Sequence, residues 1–235
     1  MYLTAKGIVI KKAETGENRA RVTLFTSEHG ILQFSCFGTH SLKSGSASAL
    51  QLFTYGEFVL SERSGNYTLS SALRLESFES LSRDYEGLYL GSRLVSCAYE
   101  LFHAGSYDSK NAFELLYTAL SFTAYSELNP DDIYIFYLIK ALDAAGICPC
   151  VTNCSVCGEE LFKEKNILFS YPDGGATCSK CVSRIAEAKP VSKLSLEALR
   201  RMLLMDTSDI KKVVLPESVR KELLTILEEY KRYNE

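Results

Sequence analysis

The sequence predicts a multi-domain α+β protein in which a β-rich N-terminal segment precedes a set of helices, with a small cysteine-rich module embedded among them. Three observations support this prediction. Short apolar runs and period-two alternation fill the first 80 residues, whereas the apolar period becomes helical from about residue 80. Six of the eight cysteines fall between residues 148 and 181. The 235 residues, 46% of them hydrophobic, suit one large domain or two modest ones.

About five strands are predicted in the first 80 residues. They lie at residues 7–10, 19–25, 31–37, 58–60 and 67–75. A turn at 64–66 joins the last two into a hairpin. Since no long helical segment interrupts these strands, their number favours a small barrel of the OB type. The small, polar residues between Thr39 and Ala49 predict a flexible loop.

Five helices are predicted after residue 80. They cover residues 88–102, 111–125, 130–142, 195–205 and 216–233. The third has the clearest start signal: Asn129 can cap the helix, Pro130 suits its first turn, and Asp131 and Asp132 face the positive end of its dipole.

The cysteine cluster is the most informative feature of the sequence. Cys154 and Cys157 form one C-x-x-C pair, and Cys178 and Cys181 form a second after twenty intervening residues. Two such pairs complete a tetrahedral zinc site of the zinc-ribbon kind, and four thiolates leave no position for water. The sequence therefore predicts one structural Zn²⁺ per chain. Redox-active pairs, reduced cysteines without metal and iron–sulfur ligation remain as alternatives.

Cys148 and Cys150 complicate this assignment, because either could replace a ligand. Their C-x-C spacing fits a ribbon less well, so we expect both to be bystanders near the site. The lone Cys36 and Cys97 are expected to pack as small apolar residues. The chain is accordingly divided into an OB barrel (1–80), a helical domain (81–150 and 183–235) and a zinc ribbon (151–182).

No enzyme is predicted. The three histidines at 29, 40 and 103 lack the Glu two residues on that a zinc deaminase requires. Nucleophile-elbow, P-loop and H-E-x-x-H patterns are also missing from the sequence. No run of about 18 apolar residues and no signal-like N-terminus is present, so a cytoplasmic location is expected.

The net charge of −3 gives no general indication of a nucleic-acid partner, and residues 1–80 hold eight Lys and Arg against seven acids. Local placement is more informative, because cations lie among the first strands and the long loop beside Phe25, Phe34 and Phe37. Cations beside aromatics are what single-strand binding by an OB barrel requires. The alternative is that the aromatics form the core and the charges are solvated. The candidate DNA contacts are Lys6, Lys11, Lys12, Arg19, Arg21 and Lys43.

The order of these pieces resembles the RecO family of bacterial recombinational DNA-repair proteins over the full length of the chain. Four segments carry the resemblance: a first strand at 5–10, a hairpin at 24–30, a loop at 37–44, and the helix-to-cysteine passage from 145 to 181. The last is the most specific, since it holds both C-x-x-C pairs.

The resemblance implies an OB fold, a helical domain and an embedded zinc module. It also implies a non-enzymatic role: binding single- and double-stranded DNA, annealing complementary strands and helping the recombinase to replace single-strand-binding protein. The implied partners are RecR and the acidic, hydrophobic C-terminal tail of single-strand-binding protein, in the bacterial cytoplasm with the nucleoid.

The loop departs from the family pattern. Phe37 and residues 39–42 stand where the family tends to place basic residues, and Lys43 is the nearest cation. We therefore expect weak, salt-sensitive DNA binding. Two other readings remain open: an RNA-binding protein built from an OB barrel and a ribbon, and a protein-interaction adaptor.

Overall fold

The computed structural model describes residues 1–37, 44–103, 107–164, 166–185 and 187–234, and two compact units divide the chain at Glu127. The first unit is built on a closed barrel of five strands. They are β1 (Tyr2–Gly16), β2 (Arg19–Thr26), β3 (Gly30–Phe37), β4 (Thr54–Arg63) and β5 (Asn66–Ser77). The strand order is β1-β2-β3-β5-β4, closed by antiparallel pairing of β1 with β4, while β3 and β5 pair in parallel. The OB-type barrel predicted from the sequence is confirmed.

Alternation along β2 separates the inside of the barrel from its outer surface. Ala20, Val22 and Leu24 are buried, whereas Arg19 and Arg21 are exposed. The same core holds apolar side chains from every strand, including Val9, Phe34, Phe58, Leu60 and Leu69. The period-two pattern predicted for this strand therefore places Ala20, Val22 and Leu24 correctly in the barrel core.

A short helix, α1 (Ser44–Ala49), lies where the sequence predicts a flexible loop, so that prediction is wrong over residues 44–49. Three serines and one glycine among its six residues give it low helix propensity. Ala49 and the following Leu50 are nevertheless buried in the barrel core, and this packing stabilises the turn. Residues 38–43, including the candidate Lys43, lie outside the described residues.

Three helices complete the first unit: α2 (Ser80–Arg83), α3 (Tyr85–Phe102) and α4 (Ser109–Tyr125). They cover part of the outer barrel surface. Phe25, which points outward from β2, stacks on Phe102 of α3 with centroids 5.6 Å apart and meets Phe113 of α4 edge-on at 6.4 Å. On β2 and β3, Arg19, Arg21, Gln33 and Phe37 are exposed in the part of the chain that the structure describes.

The second unit, residues 128–235, contains three helices and a three-stranded sheet. The helices are α5 (Pro130–Ala144), α6 (Lys193–Leu204) and α7 (Glu217–Asn234), and 3₁₀ turns cover Ser179–Arg184 and Thr207–Lys212. As predicted, the Asn129 side chain accepts a hydrogen bond from the Asp131 N–H at the start of α5. Every residue from 132 to 142 except Lys140 is buried, so α5 is the central helix of this unit.

A buried ion pair joins α5 to α7. The Asp132 carboxylate accepts hydrogen bonds from Arg220 Nε at 2.7 Å and from the Leu215 backbone N–H at 3.2 Å. The Asp132 side chain is only 4% exposed. A second contact, from the Tyr134 hydroxyl to Glu228, ties the same two helices together.

The small sheet lies in sequence between α5 and α6. It consists of β6 (Ile167–Ser170), β7 (Gly175–Cys178) and β8 (Lys189–Val191) in the order β7-β6-β8. It thus includes residues beyond the range 151–182 predicted for the ribbon, and the four-part division made from the sequence stays a prediction. None of the described helices is both long and apolar enough to cross a membrane.

Candidate metal centre and nucleic-acid interface

The first cysteine pair lies on a tight turn. The Gly158 N–H donates to the Cys154 carbonyl oxygen at 2.9 Å, which brings Cys157 back beside Cys154. Gly158 adopts a φ of 76°, a left-handed conformation that glycine reaches without strain. The second pair begins at the last residue of β7, Cys178, and continues into the 3₁₀ turn that carries Cys181.

The four thiols converge on one point. The sulfur atoms of Cys154, Cys157, Cys178 and Cys181 all lie within 4.8 Å of one another. Cys157 Sγ and Cys178 Sγ are 3.8 Å apart. A tetrahedral zinc with Zn–S bonds of about 2.3 Å separates its sulfurs by about 3.8 Å, so the cluster fits this metal. Among the residues that the structure describes, it is the one grouping of side chains suited to a metal ion.

The surroundings of the cluster favour a thiolate at one ligand in particular. Burial raises the pKa of Cys154, but the backbone N–H groups of Cys157, Cys178 and Val156 donate to its sulfur and lower its pKa to about 6. Burial raises the pKa of Cys178. A bound cation would favour the thiolate form at all four positions.

Cys148 and Cys150 lie outside the group of four. Burial, followed by the nearby Asp143, raises the pKa of Cys148 to about 12. The thiol of Cys150 donates to the Asn153 carbonyl oxygen at 3.1 Å. The backbone of Cys150 forms a bridge beside Gly175, accepting from the Ala176 N–H at 2.7 Å. A Cβ at residue 175 would overlap this backbone, so the close approach requires glycine.

The ribbon is fixed to the helices of its own unit by polar contacts. The Tyr171 hydroxyl and the Lys189 ammonium both donate to the Glu229 carboxylate on α7 at 2.5 Å. Arg200 of α6 donates from Nε to the Val151 carbonyl oxygen at 2.7 Å. Metal binding is therefore expected to stabilise these helices as well as the ribbon.

The open outer surface of the barrel carries a second candidate site, which we call the basic face: Lys11, Arg19 and Arg21 with the aromatic Phe37. The pairing of β2 with β3 places Arg19 opposite Phe37 and Arg21 opposite Ser35. On the other side of β2, Arg21 lies opposite Ala13 of β1, which is two residues along that strand from Lys11. The Arg19 guanidinium lies 4.9 Å from the centre of the Phe37 ring, which is 49% exposed.

A polar cavity of 250 Å³ adjoins the basic face where β2 and β3 meet the β4–β5 turn. Its lining includes Arg21, Gln33, Asn66 and Tyr67. In OB folds this strand face and this turn bind oligonucleotides. Gln33, Asn66 and Tyr67 were missed from the sequence. Gln33 lies near Arg21 because β3 pairs with β2, whereas Asn66 and Tyr67 reach this place only through the parallel pairing of β3 with β5.

The other candidate contacts lie apart from this face. Lys6 is placed directly opposite Glu57 on β4, and their charged groups are 4.0 Å apart. Lys12 lies opposite Val22, on the side of β1 that faces the barrel interior. Phe25 and Phe34 are core residues, so the stacking role considered for them is wrong.

An apolar groove of 580 Å³ lies between the ribbon and α6. Leu161, Ile167 and Leu196 line it, and Phe162 and Leu194 stand at 75% and 58% exposure. Lys193, Glu197 and Arg200 provide its charged lining. Solvent-exposed apolar groups around a groove are typical of a protein-binding surface.

Comparison with known proteins matches the chain to two family models. The model described as Recombination protein O N terminal matches residues 1–78, and Recombination protein O C terminal matches residues 82–234. A protein described as DNA repair protein RecO from Acetivibrio thermocellus is 28% identical over 97% of this chain and 90% of its own length. Proteins with the same description from Bacillus pumilus and Caldanaerobacter subterraneus are 29% and 27% identical over 98% of this chain, covering 88% and 92% of their own lengths.

Proposed function

The chain belongs to the RecO family of DNA repair proteins, and on this premise we propose that it is a non-enzymatic mediator of DNA repair and recombination. In this proposal it binds single- and double-stranded DNA, anneals complementary strands and helps to load the recombinase onto strands coated by single-strand-binding protein.

The observation that carries the proposal is the basic face on the open side of the OB barrel. Lys11, Arg19 and Arg21 supply positive charge for phosphates, and the half-exposed Phe37 offers a ring on which a base can stack. Such contacts leave the Watson–Crick edges of the bases accessible, which annealing requires. None of these three cations forms an ion pair with a carboxylate in the part of the chain that the structure describes.

Binding of a labelled single-stranded oligonucleotide, followed by addition of its complement, tests this function. We expect salt-dependent binding to DNA and faster annealing than in buffer alone. An RNA of matched sequence is the control, because preference for RNA would support an RNA-binding protein instead. Lack of binding even at low salt would contradict the proposal and favour an interaction adaptor.

We infer that the metal is Zn²⁺, one per chain, with a structural role. Cys154, Cys157, Cys178 and Cys181 would hold it, and the close sulfur–sulfur distances support this choice. Four protein ligands fill a tetrahedral site, so no position is left for water or substrate.

RecR is proposed to supply part of the DNA-binding surface, because three cations make a modest site for a phosphate backbone. Adding RecR is expected to raise the affinity for DNA and to make its fall with salt steeper, because each additional phosphate contact adds to the slope. Strong binding at physiological salt without RecR would contradict this role.

The apolar groove beside α6 is proposed to hold the tail of single-strand-binding protein. Apolar end residues of the tail would occupy the space around Leu194 and Leu196, and its acidic residues would lie near Lys193. A labelled peptide of acidic residues with an apolar C-terminus tests this placement. Leu194→Glu should weaken peptide binding, whereas Leu204→Glu, also exposed on α6, should not. Equal effects of the two variants would refute it.

A further inference from the structure

Two rings at the C-terminal end of α3 are arranged as a stacked pair. The rings of Tyr99 and His103 lie 5.4 Å apart between centroids, with an angle of 20° between their planes. Tyr99 is half-buried against the unit, and His103 is exposed. The exposed member of the pair is thus supported by a ring that is itself packed in place.

The orientation of the histidine is fixed by the backbone. Nδ1 of His103 lies 3.0 Å from both the Tyr99 and the Glu100 carbonyl oxygens. Because carbonyl oxygens only accept hydrogen bonds, Nδ1 must carry the proton and donate it. Nε2 then remains for solvent or a ligand. The His103 side chain is therefore preorganised: binding a ligand costs it little additional rotamer entropy.

This pair is continuous with the basic face. The ammonium of Lys11, a member of that face, lies 5.4 Å from the centre of the Tyr99 ring. Lys11 is opposite Thr23 on β2, two pairs along the strand from Ala13 and Arg21, a distance of about 7 Å. A strand that follows the cations of the barrel therefore reaches the rings of α3 at Lys11.

We propose that His103, supported by Tyr99, is a base-stacking position that extends the nucleic-acid interface of the barrel onto α3. The ligand is one unpaired base of a single strand whose phosphates contact the basic face. Aromatic rings beside cations are the arrangement that binds single strands without regard to sequence. The proposal rests on the proposed function, since it needs the barrel to bind single strands.

Salt-dependent binding of an oligothymidylate by the full chain tests this role. His103→Ala should raise Kd about tenfold, within the range for loss of one base stack. It should leave the slope of log affinity against log salt concentration unchanged, because stacking releases no counterions from phosphates. His103→Phe should retain affinity, since it keeps a flat ring. Tyr89→Ala, which removes an exposed ring about 21 Å from His103 along the same helix, is the matched control and should bind as the original chain does.

The outcomes separate this inference from the function on which it rests. If the original chain binds DNA and Arg21→Ala weakens binding while His103→Ala does not, the stacking position is refuted and the proposed function stands. If His103→Ala lowers the salt slope, the residue acts through charge and stacking is refuted. If the original chain does not bind single strands at all, both proposals fall.

Discussion

Replacing Arg21 by Ala should reduce the salt dependence of single-strand binding by a fixed amount. Three cations of the basic face predict a slope of about −2.1 in log affinity against log salt, at about −0.7 for each phosphate neutralised. Between about 50 and 200 mM salt this slope lowers affinity about 18-fold. Without Arg21 the slope becomes about −1.4 and the fall about sevenfold. Fluorescence anisotropy of a labelled oligonucleotide across the salt series measures both slopes.

Two control variants make this test specific. Arg21→Lys keeps the charge and should keep the slope, although it loses the planar fork that bonds a phosphate at two points. Lys6→Ala should change the slope less than Arg21→Ala does, because Lys6 is already paired with Glu57. An unchanged slope in Arg21→Ala, or an equal change in Lys6→Ala, would refute the assignment of the interface to this face of the barrel.

Three further outcomes follow from the contacts described above. Cys178→Ser should release the metal and locally unfold the ribbon, and elemental analysis that still finds one zinc per chain would refute the ligand set. Asp132→Ala should lower the free energy of unfolding by about 3–5 kcal/mol, because it leaves the mostly buried Arg220 guanidinium without its carboxylate and the Leu215 N–H without its acceptor; denaturant titration measures this loss, and a cost near zero would contradict it. Tyr117 donates to Glu76, and this hydrogen bond raises the pKa of Tyr117 to about 12. Folding thus favours the neutral phenol, and its contribution to stability is complete below about pH 10 and lost as the pH rises through about 12. A tyrosinate absorbance titration that shows no late-titrating group before unfolding would contradict this shift.

The parts of the molecule that sequence reasoning predicted are those set by local chemistry. The two C-x-x-C pairs bring their own turns, and the start of α5 is set by Asn129 and Pro130 within one helical turn. Alternation along β2 determines which side chains enter the barrel. In each case the signal lies within a few residues, so one sequence is enough to detect it.

The parts that were missed depend on contacts between distant residues. Helix α1 has a sequence typical of a loop and is stabilised by the burial of Ala49 and Leu50 in the barrel. The cavity beside Arg21 needs β5 to pair with β3, a contact that no local pattern encodes. The stack of His103 on Tyr99 is local, but its relation to Lys11 arises only when α3 packs on β1.

The burial of α5 on all sides has a consequence for synthesis on the ribosome. This helix emerges with apolar residues around its whole circumference, yet α7, which supplies Arg220 and covers part of it, follows about 70 residues later. At about 5–20 residues per second the wait is about 4–15 s. During that interval the nascent chain exposes an apolar helix. A chaperone bound near the ribosomal exit tunnel would shield this helix from aggregation. Slow codons between residues 145 and 216 should therefore increase aggregation of the newly made protein, whereas slow codons before residue 128 should not.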